Sequence, residues 1–261
     1  MEILNGIQKA ARDAGSIMLK ASDIMNATTQ KGNNSNLVTE YDKKVQRFLE
    51  EELHSLLPEA KFMGEENHED QFLAEYSEGF LFVIDPIDGT SNFIFGYRPS
   101  VTSIALFKDG RPYIGVVFNP YSDEMFSATR GQGAWRNGKP IRTSTLPLSK
   151  SLVSMGTSPY YEDEKIKSAF DLAYALMPRC VDIRRSGAAA WDLCQVACGV
   201  LGMFFEPVLQ LWDYAAGALI VEEAGGKVTD MNGNGLPFTG ASSVAAVSEG
   251  AADQPLPFYS R

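Results

Sequence analysis

Apolar residues follow two different periods along the chain, and the period changes after the first third. They recur at helical spacing through residues 3–18 and 45–56, which predicts two amphipathic helices, the second ended by Pro58. Shorter apolar runs then follow, and Asp109-Gly110 between two of them is a hairpin signal. The predicted strands of this middle part are residues 80–84, 101–107, 113–118, 124–129 and 133–135. In the last third, predicted strands at 151–155, 203–206 and 244–247 alternate with predicted helices at 165–177, 188–197 and 214–223. Strands and helices in this order predict a mixed α/β fold with helices packed on sheets.

Length and composition narrow the class of protein. The chain has 261 residues, and no linker divides it, so we expect one domain over residues 1–261. Within it we expect two lobes, roughly residues 1–148 and 149–261. No apolar run approaches the roughly 18 residues of a membrane-spanning helix. A formal net charge of −10 without a basic stripe argues against a nucleic-acid partner. Three cysteines and no signal-peptide pattern favour a reducing, cytoplasmic location.

Three acidic patches lie at the ends of predicted elements, and these carry the candidate chemistry. They are Gly64-Glu65-Glu66, the segment DPIDGTSNF at residues 85–93, and Trp212-Asp213. Adjacent glutamates are often a solvated edge, and a lone Asp is often a helix cap. Converging carboxylates repel one another unless cations neutralise them. If the three patches converge, they predict a metal site.

The central segment combines features of a cation site and an anion site. Pro86 stiffens the turn between Asp85 and Asp88, which leaves the Ile87 carbonyl free to point the same way as the carboxylates. Two carboxylates and a carbonyl suit a hard cation such as Mg²⁺. The backbone N–H groups that follow, at Gly89 and Thr90, suit a phosphate if a helix begins there. The alternative for these nine residues is an ordinary Asp-rich turn.

These motifs, in this order, resemble the inositol monophosphatase family of Mg²⁺-dependent sugar phosphatases. The GEE, DPIDGTSNF and WDYAA segments all match, as does the EAGG that starts at Glu223, and the resemblance covers essentially the whole chain. It implies the layered αβαβα sandwich that inositol monophosphatases share with fructose-1,6-bisphosphatases. It also implies hydrolysis of a phosphate monoester of a polyol or sugar, inhibition by Li⁺, and a homodimer.

The resemblance implies two or three Mg²⁺ ions per active site. Glu65, Asp85 and the Ile87 carbonyl would hold the first ion, and Asp85, Asp88 and Asp213 the second. A third, mostly hydrated ion would lie near Glu65. The four carboxylates carry −4 and two Mg²⁺ ions carry +4, so the ions would cancel the repulsion that an anionic substrate meets.

The same resemblance assigns the catalytic and phosphate-binding residues. Thr90 would orient the nucleophilic water, and Asp42 would accept a hydrogen bond from the Thr90 hydroxyl. Together with Glu65, these two residues form the implied catalytic set. Gly89 and Thr90 would bind phosphate through the backbone, and Lys31 matches a family lysine in a polar loop.

The residues expected to face the substrate do not determine which phosphate ester the protein hydrolyses. The residues implied to bind it are Asp88, Ala189, Glu206 and Asp213. In the segment RRSGAAAW at residues 184–191, Ala188 stands where the family usually has Ser or Thr, and Trp191 is bulkier than the common residue. Inositol monophosphate is the first expectation for a small-molecule phosphate ester. Fructose 1,6-bisphosphate, NADP and nucleotide 3′-phosphates are the alternatives, and a non-catalytic regulatory protein on this fold is the remote one. Arg184 or Arg185 could hold a second phosphate or serve a dimer interface.

Overall fold

Helices and sheets form alternating layers in the computed structural model of the protein, which describes residues 2–30, 37–67 and 78–252. The helices are α1 (Glu2–Leu19), α2 (Glu40–Leu56), α3 (Thr90–Phe95), α4 (Asp163–Leu176), α5 (Ala189–Ala197), α6 (Leu211–Glu223) and α7 (Glu249–Ala252). The strands up to the middle of the chain are β1 (Thr28–Gln30), β2 (Leu37–Thr39), β3 (Lys61–Gly64), β4 (Phe80–Asp88), β5 (Val101–Lys108), β6 (Arg111–Asn119), β7 (Glu124–Thr129), β8 (Ala134–Arg136) and β9 (Lys139–Ile141). The later strands are β10 (Leu152–Met155), β11 (Asp182–Arg184), β12 (Leu201–Leu209), β13 (Lys227–Thr229) and β14 (Ser242–Val247).

The larger sheet runs β3-β4-β5-β6-β7-β8-β9, with β3 and β4 parallel and the other neighbours antiparallel. Successive residues of β4 point to opposite faces, so each face has its own core. Phe82 and Ile84 pack with α1 and α2 on one face, and Leu81 and Val83 pack with α5 and α6 on the other. A strand buried on both faces is apolar throughout, which is why residues 80–84 read as a continuous apolar run.

The smaller sheet runs β11-β10-β12-β14-β13 and covers the other side of α5 and α6. Its opposite face packs against α4 and α7. A helix between two sheets must be apolar all round, and residues 214–221 of α6 are buried without exception. The order of layers is therefore α1/α2, the larger sheet, α5/α6, the smaller sheet, and α4/α7. This confirms the mixed α/β class and the αβαβα sandwich expected from the sequence.

The predicted elements are present, with two boundary errors that matter for the site. The strand predicted at residues 80–84 continues through Asp88, with its pairing to β5 shifted between Asp85 and Asp88. Pro86 has no N–H to donate to a neighbouring strand. The register shift therefore lies at a position where the sheet already lacks a backbone hydrogen-bond donor. The helix predicted from Tyr214 begins at Leu211. The predicted lobe boundary at residues 148/149 falls between β9 and β10, and the division into lobes stays a prediction.

No helix of the described ranges is both long and apolar enough to cross a membrane.

Gly115 of β6 lies where α6 approaches the larger sheet most closely. A Cβ there would be 2.7 Å from the Ala216 carbonyl oxygen and 3.2 Å from the Ala216 Cα. Both atoms belong to backbone, so the helix would have to move. We expect Gly115→Ala to lower the free energy of unfolding by about 1–3 kcal/mol, measured by urea denaturation. Gly235→Ala is the control, because its Cβ would meet no atom within 4 Å. Equal midpoints for Gly115→Ala and the wild type would contradict this close packing.

Candidate active site

One cleft of about 200 Å³ gathers residues from both sheets and from the helices between them. Its walls come from the ends of β3 and β4, the start of α3, the loop after β10, the first turns of α5 and α6, and β12. Nearly all of the residues that the sequence singled out line it: Glu65, Asp85, Ile87, Asp88, Gly89, Thr90, Ala189, Glu206 and Asp213. Asp42 lies behind Thr90 rather than in the lining.

Asp85 and Ile87 reach the cleft because β4 is irregular at Pro86. The Asp85 carboxylate accepts a hydrogen bond from the Ile87 N–H at 3.0 Å, and this contact fixes the turn of the strand. The Ile87 side chain is buried in the core beside α1 and α2, while its carbonyl oxygen lies 3.1 Å from the Thr90 hydroxyl oxygen. Ile87 also lines the cleft, and the direction of its carbonyl towards the carboxylates stays a prediction.

Asp88 joins the larger sheet to α5. Its two carboxylate oxygens accept from the N–H groups of Ala189 at 3.1 Å and Ala190 at 2.8 Å. The first N–H groups of a helix have no partner within the helix, so this carboxylate caps α5 and interacts favourably with its dipole. Ala189 thus touches a carboxylate of the cleft through its backbone.

Asp213 reaches the cleft from α6, and its position within that helix differs from the predicted one. It is the third residue of the helix, not its N-cap, and its carboxylate accepts from the Gln210 N–H at 2.7 Å. One oxygen is held by this capping box, and the helix thereby fixes the direction of the side chain.

Glu65 follows β3 and opens a single turn of 3₁₀-helix at Glu65–Asn67. The turn is anchored from α2, because the Gln46 side chain accepts from the Glu66 N–H at 2.9 Å. A Cβ at Gly64 would lie 2.4 Å from the same Gln46 side chain, so glycine is required for this approach. Gln46 and Gly64 therefore place Glu65 at the cleft.

The carboxylates raise one another's pKa. Burial and the charges of Glu65, Asp88 and Asp213 raise the pKa of Asp85 well above its ordinary value. Burial, followed by Asp88 and Glu65, does the same to the pKa of Asp213. Burial raises the pKa of Asp88 to about 7. Among the described residues that line the cleft, Arg185 is the one cation.

Thr90 and Asp42 form the hydrogen bond that the sequence predicted. The Thr90 hydroxyl donates to an Asp42 oxygen at 3.2 Å, and the other Asp42 oxygen accepts from the Thr39 N–H and hydroxyl. Asp42 is fully buried, and burial raises its pKa to about 6. One proton cannot serve both Asp42 and the Ile87 carbonyl, so donation to Asp42 leaves that carbonyl free to bind another group.

The donor set fits Mg²⁺ by its chemistry. Carboxylate and carbonyl oxygens are the ligands of hard cations, and burial together with the neighbouring carboxylate charges raises the pKa of Asp85 and of Asp213. Within the part of the chain that the structure describes, no group of three or more histidine, cysteine or acidic side chains is gathered closely enough to hold a metal ion. The donor types suit a cation, whereas the side chains are not arranged around one.

Glu206 lies deeper than its predicted place at a strand end. It belongs to β12 and is 7% exposed, and burial raises its pKa to about 8. Ala188 is buried and lines the cleft, close to Gly89. Trp191 is not among the lining residues and packs edge-on against Phe126, with ring centroids 6.0 Å apart.

The two arginines differ in position. Arg185 lines the cleft and donates to the Thr157 carbonyl at 2.6 Å. Arg184 is paired with Asp182 at an exposed position outside it. Only Arg185 is therefore placed to meet a second phosphate. Lys31 lies outside the described residues.

Several lining residues carry no signal in the sequence alone. Gly156, Thr157, Tyr160 and Tyr161 come from the loop after β10. Asn92, in the central segment, ties α3 to the segment before α5, since its amide donates to the carbonyls of Pro99 at 2.7 Å and Ser186 at 2.9 Å. The one available signal is topological. Because β10 and β12 are parallel, the loop after β10 lies at the edge where ligands bind in α/β sheets.

Known proteins similar to this chain match one family model but carry two different names. A model of the Inositol monophosphatase family matches residues 1–256. The chain is 38% identical over 234 residues to Nus factor SuhB of Escherichia coli K12, covering 88% of this chain and 86% of that protein. It is 38% identical over 205 residues to inositol monophosphatase 2 of Saccharomyces cerevisiae, covering 75% and 70%. The crystal structure of the extragenic suppressor protein suhB from Bartonella henselae superposes with a TM-score of 0.85 at 33% identity, covering 96% of this chain and 95% of the other.

Proposed function

The chain belongs to the inositol monophosphatase family, and from that premise we propose that it is a Mg²⁺-dependent phosphomonoesterase acting on a polyol or sugar phosphate, with inositol monophosphate as the first candidate substrate. One observation carries the proposal. Six carboxylates line a single cleft, and the four of the motifs (Glu65, Asp85, Asp88 and Asp213) come from three separate segments, next to a threonine hydroxyl that is oriented by a buried aspartate. A fold kept for binding alone has no need to hold such a concentration of like charge.

The metal ligands follow from the lining of the cleft. Glu65, Asp85 and the Ile87 carbonyl would hold one Mg²⁺, and Asp85, Asp88 and Asp213 another. When bound, Mg²⁺ activates water, binds the phosphoryl oxygens and stabilises the leaving alkoxide. Backbone N–H groups hold the three aspartates in place. Ile87 donates to Asp85, Ala189 and Ala190 donate to Asp88, and Gln210 donates to Asp213. The chain's own part is to hold these oxygens in place before the substrate arrives.

The Thr90–Asp42 pair directs a water molecule at the phosphorus. When the Thr90 hydroxyl donates its hydrogen bond to Asp42, the lone pairs of the Thr90 oxygen can accept a hydrogen bond from the nucleophilic water and so orient it. The N–H groups of Gly89 and Thr90 are available for the phosphate, and Gly89 reaches the required turn at φ +83°. Glu206 on the opposite wall would accept from a hydroxyl of the leaving group, beside Ala189.

Phosphate release from a panel of esters tests the proposed function. The panel contains inositol 1-phosphate, fructose 1,6-bisphosphate, NADP and adenosine 3′,5′-bisphosphate, each with Mg²⁺ and with a chelator. We expect Mg²⁺-dependent release led by inositol 1-phosphate and inhibited by millimolar Li⁺. Release led by another ester would keep the reaction class and direct attention to Ala188 and Arg185. No release from any ester would contradict the proposal.

A regulatory role is a second candidate, favoured by the names of several relatives. Bacterial proteins 35–38% identical to this chain are named Nus factor SuhB, whereas a yeast relative is named inositol monophosphatase. An experiment can separate the two roles. A variant that lacks a proposed metal ligand should lose hydrolysis and keep the protein surface through which a regulatory partner would bind. The expectation of no nucleic-acid partner stays a prediction.

Removing the Thr90 hydroxyl should slow the chemical step without unfolding the protein. We expect Thr90→Val to lower kcat by about 10²-fold, which is the lower range for a positioned proton-transfer group. Thr90→Ser keeps the hydroxyl and should retain activity within about tenfold of the wild type. The measurement is steady-state phosphate release at saturating Mg²⁺. Comparable kcat values for the Val and Ser variants would show that the hydroxyl takes no part.

A further inference from the structure

Tyr161 contacts the carboxylate of Glu206 from the loop after β10. Its hydroxyl oxygen lies within hydrogen-bond distance of two acceptors, Oε1 of Glu206 at 3.0 Å and the Val208 carbonyl oxygen, and its single proton is donated to one of them at a time. Burial, followed by the charge of Glu206, raises the pKa of Tyr161, so the hydroxyl keeps its proton over the working pH range. The oxygen is thus held between a strand carbonyl and the glutamate.

Glu206 is confined from a second side by Gly156. A Cβ at Gly156 would lie 1.9 Å from Oε2 of Glu206, so any larger residue at this position would have to displace that carboxylate. Gly156 follows β10 directly, and its N–H bonds to the Phe205 carbonyl of β12 at 2.8 Å. The two ends of the segment Gly156–Tyr161 therefore meet the two oxygens of one carboxylate.

We propose that Tyr161 is a positioning residue for Glu206, and that the loop of residues 156–161 thereby sets the preference for a leaving group that carries a hydroxyl. The proposal rests on the proposed function, in which Glu206 accepts from that hydroxyl. Tyr161 itself does not need to touch the substrate. Its contact fixes Oε1, so the lone pairs that remain on the carboxylate keep one direction towards the cleft.

This arrangement separates recognition of the leaving group from hydrolysis of the phosphate. The hydrogen-bond partners of the Tyr161 hydroxyl are Glu206 and Val208 of β12, whereas the proposed metal ligands belong to β3, β4 and α6 or to the turns beside them. Loss of the Tyr161 hydroxyl should therefore change binding of a polyol phosphate and leave an ester without leaving-group hydroxyls nearly unchanged.

The test compares Tyr161→Phe with the wild type on inositol 1-phosphate and on 4-nitrophenyl phosphate. We expect kcat/KM for inositol 1-phosphate to fall by about three- to tenfold, mostly through KM, as for loss of one hydrogen bond. For 4-nitrophenyl phosphate we expect a change of less than about twofold. Tyr161→Phe should add little in a Glu206→Ala background, because the two residues act through one contact. Tyr174→Phe is the control, since Tyr174 is 84% exposed on α4.

The outcomes separate this proposal from the proposed function. A wild type that releases no phosphate from either ester overturns both. An active wild type with an equal loss on both esters in Tyr161→Phe, or with no loss, overturns the positioning role alone. So does full additivity with Glu206→Ala. If Tyr161→Phe fails to fold, Gly156→Ala displaces the same carboxylate from the other side and should give the same split between the two esters.

Discussion

Asp88→Asn is expected to lower phosphate release by at least about a hundredfold in a protein that still folds. The change removes one negative charge from the proposed metal site. It also places an amide where a carboxylate now accepts from Ala189 and Ala190. Only the oxygen of the amide accepts a hydrogen bond, whereas its nitrogen donates. In the variant, one N–H of α5 therefore loses its partner, or the side chain rotates. Both effects displace a ligand oxygen, and activity is sensitive to that displacement.

Asp192→Asn is the matched control for this variant. Asp192 is a buried carboxylate in the same cleft, and burial raises its pKa to about 7. It accepts from the hydroxyls of Ser154 at 2.9 Å and Ser186 at 2.7 Å, and these can rotate to suit an amide. We expect a loss below about tenfold, measured at saturating Mg²⁺ with circular dichroism as the check on folding. A well-folded Asp88→Asn protein with near-normal turnover would refute the metal assignment.

Mg²⁺ is expected to stabilise the folded protein strongly at pH 8 and weakly at pH 5.5. Burial raises the pKa of Asp42 to about 6, of Asp88 to about 7 and of Glu206 to about 8, while an unfolded carboxyl titrates near 4. Between these values the folded chain binds more protons than the unfolded chain. Its stability therefore falls as pH rises from about 4 to 8. A cation bound in the cleft at high pH supplies a counter-charge to the buried carboxylates there and so should offset this fall.

Thermal unfolding at the two pH values, with chelator and with Mg²⁺, measures this effect. With chelator we expect Tm to be at least about 5 °C lower at pH 8 than at pH 5.5, since one pKa unit already corresponds to a few degrees in a chain of this size. Mg²⁺ should restore most of the difference in the wild type and less of it in Asp88→Asn. A Tm that rises with pH in chelator would show that the carboxylates are compensated by other groups.

Most of the fold could be predicted because burial leaves a period in the sequence. The helical spacing of α1 and α2 marks helices with one face against a sheet. The short strands β1, β2, β9, β11 and β13 were not predicted, because three residues are too few to show a period. The end of β4 was predicted too early for a different reason. Its last residues are polar and include a proline, whereas the sheet extends through them by shifting its register.

The carboxylates of the site could be predicted from the sequence, whereas the loop that contacts Glu206 could not. Glu65, Asp85, Asp88 and Asp213 lie in segments whose carboxylates are conspicuous at the ends of ordered elements. Tyr161 reaches the cleft only because the parallel strands β10 and β12 bring its loop beside Glu206. No local pattern encodes that contact, which spans 45 residues of sequence. Contacts of this kind depend on the order of the strands in the sheet, and no single segment of the sequence determines that order.

The bond between Asp88 and the start of α5 has a consequence for how the protein acquires its site. Asp88 and its partners Ala189 and Ala190 are 101 and 102 residues apart, and Asp213 comes later still. Contacts of such separation form late, after the loop between them has closed. During synthesis, the first half of the chain thus carries every proposed metal ligand except Asp213, so the second proposed cation site is completed only when α6 has formed. A metal that binds only the finished cleft acts on the native state rather than on the folding nucleus, so it should slow unfolding while leaving the rate of folding almost unchanged.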